Sequence, residues 1–330
     1  MAPAEDRRSR LLVKVSRLYY IDGLNQQQIA DKLAISRPQV SRLLAEARET
    51  GTVEIRIHSR TPELDELAAA LESRFGLRDA LVLGPSDDGP ALPAIARGAA
   101  ELLDEMLPES ATVAVSAGWT LAAVAQALEN PKARGATFVP MIGGQGPVGA
   151  AGHANEIARL LAAAFHGRYF LLNAPAIVAN PDSRTAFLAE PEIARVLERA
   201  AASQIAVLGV GAISTQSTAA RWGGLRDDEV RMLNEAGAAG NIGTGFFSLD
   251  GRILETPLSD RFIGLSLQQV KAIPLRVGVA AGREKAAALL GALRGGFLTN
   301  LVTDAEAARA ILALGQPSAS ADAGRPKQRK

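Results

Sequence analysis

Between Arg8 and Asp22, apolar residues recur at Leu11, Leu12, Val15, Leu18 and Tyr19, a three-and-four spacing that predicts one apolar face of a helix. Asp22-Gly23 ends it, since glycine readily takes the left-handed cap conformation. A second helix is predicted from about Asn25 to Ala34, with Asn25 as N-cap and Ile29, Ala30 and Leu33 facing inward. Ile35-Ser36 forms the turn. Ser36 is placed to cap a third helix over residues 37–50, with Pro38 in its first turn, where a missing N–H costs little. Val40, Leu43, Leu44 and Ala47 are its buried face, and Gly51 closes it. The run VEIRIH, residues 53–58, alternates like a strand and is expected to form a wing.

The pattern changes after Thr61-Pro62. One amphipathic helix (Leu64, Leu67, Ala68, Leu71, Phe75) leads into strand-like runs at 80–83, 112–116, 137–142, 169–173, 205–210, 275–280 and 298–303. Alanine- and leucine-rich helical stretches separate most of them, at 92–107, 121–128, 155–165 and 193–202. Strands alternating with helices predict an α/β body around a mainly parallel sheet, Rossmann-like in layout. Residues 246–254, with the Asp250-Gly251 turn, read as a β-hairpin. The predicted domains are therefore 1–60, a helix-turn-helix, 61–315, a ligand-binding and oligomerisation domain, and 316–330, a small, polar, basic tail expected to be disordered.

Charge sharpens this division. The chain of 330 residues carries a net charge of only +1, but the first sixty residues hold +4, residues 61–315 hold −6 and the last fifteen hold +3. A basic module on an acidic body points to a polyanion partner for the module. The chain has no cysteine, which removes disulfide and thiol chemistry, and its three histidines are too dispersed for a metal-ligand spacing. The N-terminus lacks a signal-peptide apolar run and no segment is apolar enough to span a bilayer, so a cytoplasmic protein without membrane contact is expected.

Two short helices joined by a tight turn and backed by a third make a helix-turn-helix. Counting about 100° per residue from Val40, the opposite face presents Pro38, Arg42 and Ala45, flanked by Gln39 and Ser41; with the cap Ser36 and Arg37, the exposed N-terminal end carries Ser36, Arg37, Gln39, Ser41 and Arg42. Arginine reads guanine, glutamine reads adenine, and both grip phosphates, so this face suits the major groove of double-stranded DNA.

In a parallel sheet, ligands sit beyond the carboxyl ends of the strands. The loops there are built for close approach. Ser116-Ala117-Gly118-Trp119-Thr120 follows one strand and opens a helix, so its backbone N–H groups and the hydroxyls of Ser116 and Thr120 can meet an anion. Gly143-Gly144-Gln145-Gly146 and Gly209-Val210-Gly211 follow two others. Gly282-Arg283-Glu284-Lys285 opens a further helix, and a cation at that end is unfavourable to the helix dipole until an anion arrives.

The run IADKLAISRPQVSRLLAEARETGTVEIRI resembles the N-terminus of the SorC family of sugar-responsive bacterial regulators. SAGWT, PMIGGQG, HANEIA, LNAPAIV, LGVGA, FIGLSLQQVKAIP and AAGREKAAALLGALRGGFLTNLVTD resemble, in order, motifs of that family's effector domain, so the likeness runs over about residues 10–314. The resemblance implies a fold related to sugar-phosphate isomerases, a phosphorylated sugar or polyol effector, and a homotetramer. By motif position it assigns Thr120, Gln145, Asn155, Asn241 and Lys285 to the effector site, with Lys285 on the phosphate; the loop reading adds Ser116, Gly118 and Gly144. Three positions depart from the family pattern. Ala34 stands where glycine is frequent, a minor change if the position stays helical. Ala117 replaces a tryptophan while Trp119 fills a variable position, and Asn241 stands where an acid is usual.

Three functions fit this reading. A ligand-switched DNA-binding regulator of a carbohydrate or polyol operon, dimeric or tetrameric and without cofactor, accounts for both modules. A sugar-phosphate isomerase with a DNA-binding appendage accounts for the body's fold, but the amide of Asn241 cannot act as a general base. A nucleic-acid scaffold without a small ligand leaves the glycine loops unexplained.

Overall fold

Helix ends in the N-terminal segment are fixed by side chains that satisfy orphan backbone groups. In the computed structural model, which describes residues 3–55, 61–84, 91–144, 150–214 and 225–315, Asn25 Oδ1 accepts the N–H groups of Gln27 and Gln28, each at 3.0 Å. Gln28 Oε1 in turn accepts the N–H of Asn25 at 2.9 Å, which completes a capping box. The helices are α1 (Pro3–Tyr20), α2 (Gln26–Leu33) and α3 (Arg37–Glu49). Leu12, Val15, Leu18, Ile29, Ala30, Val40, Leu43, Leu44 and Ala47 bury together between them. Ser36 caps α3 by accepting from the N–H of Gln39 at 3.3 Å. Residues 53–55 take no strand, and the rest of the expected wing lies outside the described residues.

The turn between α2 and α3 corrects one expectation. Ala34 does not stay helical; it takes φ 54° and ψ 43°, the left-handed conformation that glycine favours. It must, because its own N–H and that of Ile35 both turn back onto the last carbonyls of α2, Ile35 reaching Ala30 at 3.0 Å.

Contacts divide the chain into two compact units, Met1–Arg60 and Thr61–Lys330. The second opens with α4 (Pro62–Phe75), β1 (Asp79–Leu83), α5 (Ala91–Met106), β2 (Thr112–Val115), α6 (Trp119–Gln126) and β3 (Thr137–Pro140). It continues with α7 (Ala154–Ala164), β4 (Arg168–Tyr169), α8 (Pro181–Ala189), α9 (Pro191–Ala201), β5 (Ile205–Gly209), β6 (Gly211–Ala212) and α10 (Asp227–Glu235). Then come β7 (Ala238–Ile242), β8 (Gly245–Ser248), β9 (Ile253–Leu254), α11 (Leu267–Ala272), β10 (Leu275–Val279), α12 (Ala286–Arg294), β11 (Asn300–Asp304) and α13 (Ala305–Leu314).

Seven strands pair in parallel in the order β1-β11-β10-β5-β2-β3-β4. Both faces are covered, as the continuous apolar strands require. Val113 and Val115 of β2 and Val207 of β5 pack with Ile95, Leu121 and Ile157 from α5, α6 and α7. Ala114 and Leu208, pointing the other way, pack with Leu71, Val196, Leu289 and Ile311 from α4, α9, α12 and α13. Each such valine or leucine contributes about 1.5–3 kcal/mol by its burial. The expected hairpin is β8–β9, but it belongs to a four-stranded antiparallel sheet, β6-β7-β8-β9, set after β5. Asp227, Asp228 and Glu229 form the acidic first turn of α10, where acids suit the helix dipole. Glu229 is buried and meets the Arg261 guanidinium at 2.6 Å.

Candidate effector cavity and nucleic-acid face

β5 lies centrally in the sheet with β2 on one side and β10 on the other, so three successive loops meet beyond its carboxyl end. They enclose a cavity of about 330 Å³. Ser116, Ala117, Gly118, Trp119, Thr120 and Leu121 line it from the β2–α6 connection. Val210, Gly211, Ala212 and Ser214 line it after β5, and Glu284 and Lys285 after β10. Ile142, Asn241 and Gly243 complete the wall. The volume falls within the roughly 300–1,000 Å³ of small-ligand sites.

Local backbone geometry explains why these residues face inward. Gly118 sits at φ 141° as the residue before α6, which lets the chain reverse and its N–H bond to the Gly152 carbonyl at 2.9 Å. Asn241, on β7 opposite Gly211, donates its amide to the Gly243 carbonyl at 3.3 Å, while its Oδ1 lies where a side chain on Gly211 would have to go. Lys285 is half-buried as the N-cap of α12. Burial holds its ammonium below the usual lysine range, and the carboxylates of Glu284 and Asp304 oppose that shift. It forms no ion pair with a described residue.

The fold therefore brings together Ser116, Gly118, Thr120, Asn241 and Lys285 of the expected set. Asn155 is elsewhere. Its amide is taken up by the backbone of Leu172, accepting from the N–H at 2.9 Å and donating to the carbonyl at 3.2 Å. Gly144 also does not line the cavity; its N–H donates to Ala174 at 2.9 Å and it bridges Pro175. Gln145 lies outside the described residues. The residues that sequence reasoning missed are Ile142, Ala212, Ser214, Gly243 and Glu284, of which only Glu284, adjoining Lys285, carried a local signal.

In the first unit, Ser36, Arg37, Gln39, Ser41 and Arg42 are all exposed, while Val40, Leu43 and Leu44 are buried. Arg8 of α1 clamps Glu46 with two hydrogen bonds of 2.9 and 2.8 Å, fixing α1 against the flank of α3. That contact holds the Glu46 carboxyl below its ordinary range and raises the Arg8 guanidinium. Neither Arg37 nor Arg42 is spent on an ion pair with a described residue. Among the described residues no helix is long and apolar enough to cross a membrane, and no cluster of histidine and acidic side chains could hold a metal ion.

The Sugar-bind family model of a sugar-binding domain matches residues 59–313. The deoxyribonucleoside regulator of Bacillus subtilis is 32% identical over 307 residues, covering 92% of this chain and 98% of that protein. The sorbitol operon regulator of Klebsiella pneumoniae is 29% identical over 309 residues, with 92% and 98% covered. The crystal structure of the full-length sorbitol operon regulator SorC from Klebsiella pneumoniae superposes with a TM-score of 0.71 at 29% identity, again covering 92% and 98%. With a helix-turn-helix before a matched effector domain, this chain belongs to the SorC-type family of sugar-binding-domain transcriptional regulators.

Proposed function

We propose that this regulator grips operator DNA through α3 and changes that grip when a phosphorylated sugar or polyol enters the cavity, with Lys285 on the phosphate. One observation carries the reading: a half-buried lysine at the start of α12 faces a cavity otherwise lined by the hydroxyls of Ser116, Thr120 and Ser214, the Asn241 amide, the Trp119 indole and a single carboxylate, Glu284. A cation at a helix N-terminus opposes the helix dipole and is desolvated, so an anion there relieves both costs. Ser116, Thr120, Ser214 and Asn241 supply the donors and acceptors that sugar hydroxyls need. The relatives named for sorbitol and deoxyribonucleoside operons support a sugar-derived ligand.

A single helix-turn-helix presents few base readers, so the working form is a homo-oligomer on a two-fold operator. The switch is a coupling free energy: if the ligand prefers an arrangement that no longer matches the half-sites, DNA weakens ligand binding by the same factor. On this reading the protein is a regulator and not an isomerase: Asn241 carries an amide, which cannot abstract a proton.

The test is a thermal-shift screen with sorbitol 6-phosphate, deoxyribose 5-phosphate and their unphosphorylated counterparts, on the native chain and on Lys285→Ala. Binding to the native state raises the Tm by mass action. A phosphorylated compound that shifts only the native chain is the expected result. A shift with free sugars alone, indifferent to Lys285, overturns the phosphate assignment.

A further inference from the structure

One carboxylate near the cavity is buried, makes no contact with its interior, and yet joins the loop that carries Lys285. Asp304 closes β11 and is only 6% exposed. Its Oδ1 accepts the N–H of Ala307 at 2.6 Å, which caps α13. Its Oδ2 accepts the N–H of Gly282 at 2.7 Å, twenty-two residues earlier in the chain. Gly282 stands at φ 102°, a conformation open to glycine, and from it the chain makes a single helical turn, Arg283–Lys285, before α12. Three residues beyond the tether comes the lysine.

We infer that Asp304 is a positioning residue for anion capture: its carboxylate pins Gly282 so that the Arg283–Lys285 turn directs the ammonium into the cavity. The inference rests on the phosphate reading of the site. A desolvated lysine gives up most of its affinity for an anion when its backbone is loose, because each approach must then be reordered. A buried carboxylate accepting two backbone N–H groups is a strong restraint, since hydrogen bonds to an ionised acceptor are about twice as strong as neutral ones. The sign of the effect separates positioning from charge. Asp304 is negative, so at a pH where Lys285 stays charged in every variant, its removal near an anion site tightens anion binding by Coulomb's law. Loss of a positioning contact does the opposite.

The experiment uses inorganic phosphate as the probe, titrated calorimetrically into the native chain, Lys285→Ala, Asp304→Ser and Asp304→Ala. Serine is a good N-cap but too short to hold Gly282 as well, so Asp304→Ser keeps the α13 cap and removes the tether. Alanine removes both. The expected result is that phosphate binds the native chain in a Lys285-dependent manner and binds both Asp304 variants about tenfold more weakly, while only Asp304→Ala suffers the larger fall in Tm. Phosphate affinity unchanged or tighter in Asp304→Ser overturns the proposal and leaves the phosphate reading intact. Weakening confined to Asp304→Ala overturns it too, because affinity then follows the helix cap. If the native chain shows no Lys285-dependent phosphate binding, the site reading fails first and this proposal falls with it.

Discussion

Replacing Ala34 by glycine stabilises the helix-turn-helix, contrary to the usual penalty of a glycine beside a helix. The residue sits at φ 54° and ψ 43°, where a Cβ crowds the following carbonyl at a cost of about 1–2 kcal/mol. Glycine removes that cost and adds back roughly 0.5–1 kcal/mol of backbone entropy in the unfolded chain. The net is a gain of about 0.5–1 kcal/mol, or a two- to fivefold fall in the population of the opened unit. Hydrogen exchange of the full chain reads this directly at the amides of Ile29 and Val40, both fully buried in the core of the unit. Their exchange slows by that factor in Ala34→Gly. In Ala34→Val it accelerates by more than the reciprocal, because a β-branched residue tolerates this conformation worst. Unchanged or faster exchange in Ala34→Gly would refute the reasoning, since the turn would then be free of the strain assigned to it.

Three further outcomes follow from the same structure. Gly211→Ala sets a methyl where Asn241 Oδ1 now lies and displaces that amide from its place in the cavity wall; calorimetry should read ligand affinity weaker by about tenfold or more, and unaltered affinity would show that Asn241 takes no part in ligand binding. Lys285 has a lowered pKa that a bound anion raises again, so affinity falls as pH rises through the ligand-free value, sooner than for a surface lysine, and binding takes up protons in that window. Lys285→Arg removes this alkaline limb because the guanidinium stays charged, and titrations in buffers of different ionisation enthalpy detect its presence or absence. Arg37→Ala and Arg42→Ala each weaken operator binding measured by fluorescence anisotropy. An arginine on a phosphate lowers the salt slope by about 0.9, whereas one on a base relaxes sequence preference at unchanged slope. DNA affinity indifferent to both changes would remove α3 from the groove.

What the sequence made legible was everything governed by neighbours three or four residues away. The apolar period gave α1 to α3 and their buried faces, and Asn25 and Ser36 cap as their chemistry dictates. Continuous apolar runs gave the parallel strands, and Asp250-Gly251 gave the β8–β9 turn. Beyond the hairpin the signal ends: β6 has two residues and β7 reads Ala-Ala-Gly-Asn-Ile, so neither carries an alternation to recognise. Ala34 was misjudged because one-dimensional pattern gives residue type and not φ. Its conformation follows from where α2 stops.

The candidate site divides along the same line. Loops after strands announced Ser116, Gly118, Thr120 and Lys285, since the rule that places ligands at strand ends is local once the strands are known. Asn155 was assigned by motif position alone, and its amide is instead taken up by Leu172, seventeen residues away. Asp304 drew no notice, and beside capping α13 it holds Gly282 on the loop after the neighbouring strand, β10. The shift of tryptophan from position 117 to 119 is the case in which local and non-local readings meet. Sequence comparison marks it as a departure that unsettles the ligand loop. Yet Ala117 and Trp119 both line the cavity, and the indole there is half-exposed at the start of α6. An aromatic wall is therefore kept while its place on that wall changes. A rigid apolar surface moved by two residues alters which face of a sugar it covers without disturbing the lysine on the opposite loop. On the proposed reading, the departure thus bears on which sugar fits, and leaves the capture of a phosphate to Lys285 and the carboxylate that holds its loop.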